Sequence, residues 1–164
     1  EILSGLVGSE MCIRDRLMFS AVLAVIGLFG LVSNASAQTS YKGTLSNITM
    51  NGKHFNNVGE KVFTLTQGEG NEYVLSGTVD KIGKMPGTIS VNVDVIINNG
   101  VMVFDPTGES KTTLTVAGIP VNLNVKSFTG TVTDNTLHFV LDTYAGWGTL
   151  PVFPASVTFD GTKQ

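Results

Sequence analysis

Ile89-Ser90-Val91-Asn92-Val93-Asp94-Val95-Ile96-Ile97-Asn98-Asn99-Gly100-Val101-Met102-Val103-Phe104 is the stretch that decides the fold. Ile89, Val91, Val93 and Val95 alternate with Ser90, Asn92 and Asp94, which puts an apolar row on one face of a strand and a polar row on the other. Asn98-Asn99-Gly100 then supplies residues that tolerate the positive φ of a tight turn, and Val101 to Phe104 returns beside the first strand. No other segment carries so strong a hairpin signal.

The same period of two recurs on both sides, and after Tyr41 no segment sustains a helical apolar period. Upstream, Tyr41 to Met50 ends at Asn51-Gly52, and Lys61 to Gln67 carries Phe63 and Leu65 on one face. Glu69-Gly70-Asn71 turns the chain into Tyr73, Leu75, Gly77 and Val79. Downstream, Asp105-Pro106-Thr107-Gly108 leads to Thr112 to Ala117. Gly118-Ile119-Pro120 then opens a long strand from Val121 through Val125 and Phe128 to Val132. Asp134-Asn135 turns into Leu137, Phe139 and Leu141, and Ala155, Val157 and Phe159 close the domain. This pattern predicts an all-β domain, a single up-and-down antiparallel meander of about eight strands closing into a barrel. Closure removes both sheet edges, and consecutive hairpins favour it over the crossing connections of a Greek-key sandwich.

Gly-Thr followed by an apolar residue recurs at Gly43, Gly77, Gly87, Gly130 and Gly148. The spacing is too irregular for a solenoid repeat. Glycine within a strand marks a bend or bulge of the kind a small barrel needs, and Gly and Thr also simply suit strand starts.

Ahead of the domain, an apolar run from Leu17 to Val32 is followed by Ser33-Asn34-Ala35-Ser36-Ala37. Small residues in the last positions before a cut are what a signal peptidase needs, so residues 17–37 read as a signal peptide cleaved after Ala37. The run is shorter than the about 20 residues that cross a bilayer, and no basic cluster follows it. Gln38 stands where a lipoprotein would carry its cysteine. The expected product is exported, periplasmic or secreted, with no stable membrane anchor. Residues 1–16 mix Glu1, Glu10 and Asp15 with Arg14 and Arg16; the string through Met11-Cys12-Ile13-Arg14-Asp15-Arg16 resembles translated sequencing-adapter sequence, the alternative being an unusual n-region.

Residues 38–164 form a segment of 127 residues, enough for one domain with a single core. It has no cysteine and no arginine, and it sets eight lysines against ten carboxylates. A nucleic-acid partner is excluded, because it would call for a basic stripe and for arginine's bidentate phosphate contacts.

The candidate chemistry is sparse. A hydrolytic triad needs a base, and the domain offers His54, in the loop from Asn51 to Gly59, and His138, which alternation places opposite the core row of Leu137 and Phe139. Neither has a second histidine or cysteine at metal-ligand spacing, so no metal or cofactor is expected. Asp105-Pro106-Thr107-Gly108-Glu109 has a superficial likeness to a calcium loop but reads as a type I turn, with Pro and Gly where that turn prefers them. The domain is expected to be non-catalytic.

The most distinctive stretch is Tyr144-Ala145-Gly146-Trp147-Gly148-Thr149-Leu150-Pro151-Val152-Phe153-Pro154. Its aromatics could stack on an apolar ligand or plug one end of a barrel. Trp147, Tyr144 and Phe153, with Met85, are the candidate ligand-binding residues for a small hydrophobic partner.

The domain resembles the calycin-like β-barrel family of exported bacterial proteins, related in shape to lipocalins. The resemblance rests on Tyr41-Lys42-Gly43-Thr44-Leu45, on Phe63-Thr64-Leu65-Thr66 leading to Tyr73-Val74-Leu75, on Met85-Pro86-Gly87-Thr88-Ile89, and on the terminal Val157-Thr158-Phe159-Asp160-Gly161-Thr162. It implies an eight-stranded barrel and a small apolar or amphipathic ligand in its lumen; it supplies no assigned activity. The Gly-x-Trp of lipocalin first strands is replaced here by Lys42-Gly43-Thr44. The alternative to a ligand binder is a structural or protein-interaction module with a filled barrel that acts through its loops.

Overall fold

The computed structural model describes residues 36–56, 58–80, 82, 87–146 and 152–164. Its strands are β1 Gln38–Met50, β2 Lys53–Phe55, β3 Glu60–Gln67, β4 Glu72–Asp80, β5 Thr88–Asn98, β6 Val101–Phe104, β7 Thr112–Val116, β8 Ile119–Val132, β9 Thr136–Ala145 and β10 Val152–Lys163. Among the described residues there is no helix. The ladder runs β1-β3-β4-β5-β6-β8-β9-β10, and β10 returns to pair with β1, so eight antiparallel strands close a barrel as the alternation predicts.

β2 and β7 lie off this circuit. β2 is missed by the sequence reading, which puts His54 in a loop. In the structure Asn51 and Gly52 turn at φ 49° and 75°, and His54 pairs with Thr49. Three residues are too few to display an alternation. β7 carries on from β6 between the same two neighbours. Val95 pairs with Phe104 and Ser90 with Thr113, so a nine-residue step along β6 and β7 spans a five-residue step along β5. The surplus is extruded as the Asp105–Lys111 loop.

Two bulges reset which residues face inward. In β1 the β10 register shifts between Ser46 and Thr49, with Asn47 at φ 49°. Tyr41 and Leu45 are buried before the shift, and Ile48 and Met50 after it. One extra residue exchanges the two faces of a strand. In β8 the shift between Val125 and Ser127 leaves Lys126 unpaired and moves the inward set from Leu123 to Phe128.

The core is aromatic at mid-barrel. Phe139 lies 5.0 Å from Phe63, 5.2 Å from Phe159 and 5.7 Å from Phe128, and Phe63 meets Phe159 edge-on at 4.7 Å. Room for these rings comes from glycine on the same or the neighbouring strand. A Cβ on Gly161 would lie 2.5 Å from Phe159 Cζ, so that ring occupies the place of a side chain. Leu75, Val93, Met102 and Leu137, all essentially inaccessible, fill the space around the rings.

Candidate functional site

Toward the end of the barrel where β1 finishes and β10 begins, packing gives way above the Phe63 and Phe139 floor. A cavity of about 40 Å³, counted as space open to the centre of a water molecule, lies there; counted out to solvent, the empty space is about 490 Å³. Its walls are almost entirely hydrocarbon: Ile48 and Met50 from β1, Ile89 and Val91 from β5, Leu141 from β9 and Val157 from β10. Eight-stranded barrels are just wide enough either to fill with side chains or to hold one small ligand, and this one does the first over the Phe-packed half and leaves space over the other.

Two hydroxyl side chains interrupt the apolar lining, those of Thr112 and Thr143. Ser156 also borders the cavity, but it pairs with Asp142 across β9 and β10, so its side chain lies on the outer face with that carboxylate. Thr143 is 6% exposed. Thr112 is 2% exposed, and its Oγ1 has no hydrogen-bond partner. Thr112 and Leu114 form the inward row of β7, while Thr113 and Thr115 are half-buried on the other face. No described lining residue is charged. An ion pair of Lys61 with Asp80 sits at the start of β3, where the ammonium also donates to the Asp80 carbonyl at 3.2 Å.

The sequence candidates are placed as follows. Trp147 and Met85 lie outside the described residues. Phe153, at φ 59° in a bulge between Val152 and Pro154, packs against the core cluster. Tyr144 alternates with buried Thr143 and pairs with Asn124 and Pro154 on the outer face of β9. Neither Tyr144 nor Phe153 is among the described lining of the cavity.

The polar clusters lie on the outer wall. His138 Nδ1 and Asp160 Oδ1 are 2.6 Å apart with both side chains about half exposed. Ser127 Oγ donates to Asp142 at 2.6 Å. That bond first, then the Ser156 hydroxyl, hold the Asp142 carboxyl below its ordinary range; burial opposes them, and the positive charge of Lys126 adds the least. His138 and Asp142 are four residues apart along β9 and engage different partners, so these two groups do not converge. Asp105 Oδ1 accepts from Thr107 N at 2.9 Å and Thr107 Oγ1 at 2.6 Å, which closes the turn and holds the carboxyl below its usual range.

The opposite end of the barrel is wetter. Tyr41, Tyr73, Gln67, Asp134 and Lys163 surround a recess of about 250 Å³. Burial first, then the charge of Asp134 and then Tyr73, push the Tyr41 phenol up.

Residue patterning could have flagged Thr112, since Thr112 shares the inward parity of Leu114. The barrel closure that brings Thr112 of β7 to the same cavity as Ile48 of β1 and Val157 of β10 is not visible in local sequence. Compared with protein-family models, curated proteins and solved structures, the chain matches none.

Proposed function

We propose that the domain is a non-catalytic, exported β-barrel that binds a small apolar or amphipathic molecule in its lumen. The observation that carries this reading is the hydrocarbon-walled cavity above the Phe63 and Phe139 floor. At about 40 Å³ it has room for roughly three water-sized groups, so it takes the end of a chain rather than a whole ring system. The cavity opens toward solvent, where the rest of such a molecule would lie. The separation of His138 from Asp142 on the outer wall supports a binding role over catalysis. Export rests on the segment 17–37, and the calycin-like kinship on the sequence segments that resemble that family.

The test is a panel of fatty alcohols, fatty acids and bile acids offered to the purified protein, read by native mass spectrometry and tryptophan fluorescence. A saturable complex of one ligand per chain supports the proposal. Failure of every member to bind or to change the emission sinks it.

One observation favours the alternative of an interaction module. Val101 and Val103 are 52% and 44% exposed on the outer face of β6, beside Thr131 and Thr129 of β8.

A further inference from the structure

The Thr112 hydroxyl is anomalous in its surroundings. It is 2% exposed, it lies in the wall of an apolar cavity, and its Oγ1 has no partner. Buried hydroxyls in native structures are nearly always hydrogen-bonded, because an unpaired one forfeits its hydration and gains nothing in return. A valine has almost the same shape and would fill the position without that loss. β7 uses an apolar side chain at its other central inward position, Leu114.

We infer that the ligand of this cavity is a mainly aliphatic molecule carrying one neutral hydrogen-bonding oxygen, a ketone, ester or alcohol, which pairs with Thr112 Oγ1. This rests on the reading of the cavity as a ligand site and adds the chemistry of what enters it. Threonine can donate to a carbonyl or accept from a hydroxyl. An ionised group is disfavoured here because no charged side chain among the described lining is available to compensate its desolvation. The other polar groups at the cavity are less suited: Ser156 shares the outer face of Asp142, with which it pairs, and Thr143 approaches from β9, separated from β7 by β8. The oxygen must therefore sit near β7, with the hydrocarbon directed toward Ile48, Met50 and Val157.

The experiment compares 2-pentanone with n-pentane on the full-length protein, followed by methyl NMR of Ile48, Met50 and Ile89. Thr112→Val is expected to weaken 2-pentanone about tenfold, the worth of a single hydrogen bond, and to leave n-pentane within about twofold. Thr112→Ser, which keeps the hydroxyl, is expected to hold 2-pentanone within about threefold of the parent. Equal changes for both probes, or an unchanged ketone affinity in Thr112→Val, would mean that water alone satisfies the hydroxyl and would overturn the inference while leaving the apolar site standing. If neither probe shifts the cavity methyls of the parent protein, the cavity is no ligand site and both readings fall. Thermal melts of the two variants show that any loss of binding occurs in a folded barrel.

Discussion

Gly77 of β4 and Phe63 of β3 are paired in register, and the Phe63 ring lies over Gly77 so closely that a Cβ there would sit 2.4 Å from Phe63 Cδ1. Phe63 cannot retreat, because Phe139 and Phe159 hold it edge-on. Gly77→Ala is therefore expected to destabilise the barrel by about 1–3 kcal/mol, the range for overpacked cores. Urea unfolding measures it, and adding Phe63→Leu should recover part of the loss; strictly additive effects would show that the two sites do not share this contact.

Asp142 sets an acid limit. Its folded pKa lies below the ordinary 3.8 because Ser127 and then Ser156 donate to the carboxylate. The stabilisation is present above the unfolded value and is lost as pH falls through the lowered folded value. Asp142→Asn should cost under about 1 kcal/mol at neutral pH, given partial exposure, and the gap to the parent should close in acid. Denaturation at a series of pH values checks the sign.

Tyr41 sets an alkaline one. With its pKa raised above 10.0 by burial and then by Asp134, the protein keeps this contribution below the unfolded value and loses it as pH rises through the folded one. Ultraviolet titration should show a late phenol that is absent in Tyr41→Phe and earlier in Asp134→Asn.

The β7–β8 turn is improvable. Ala117 and Gly118 sit at φ 50° and 81°, the backbone of Asn99-Gly100 at 50° and 79°, yet alanine lacks the side chain that eases this region. Ala117→Asn should raise stability by about 1 kcal/mol, read as a higher thermal midpoint.

Strand existence was legible because Phe63, Leu75, Val93 and Phe139 fall on strict alternations, and the Asn-Gly turns announce themselves chemically. The inward row of β8 was readable only up to Val125, because the Lys126 bulge exchanges the faces and a bulge needs no special residue. The interrupted β6 and β7 line was not readable, since it is defined by pairing to β5 and β8 rather than by anything within its own sequence. For the site, alternation identified apolar rows but could not say where between them space remains. That depends on how far the Phe rings reach along the axis. Thr112 acquires meaning only once the barrel shuts off its water.

Of the two strands outside the closed circuit, β7 lines the cavity through Thr112, and β2 pairs with the end of β1 that supplies Ile48 and Met50 to it. β2 is held by three residue pairs to β1, and β7 by three to β5 and five to β8. The Phe-packed half is held by longer, continuous ladders around a solid interior. Local opening follows the amount of pairing and packing that must be broken. Amide hydrogens of β2 and β7 are therefore expected to exchange through small excursions that leave the aromatic half intact, so that the barrel wall loosens at two short strands without the protein unfolding.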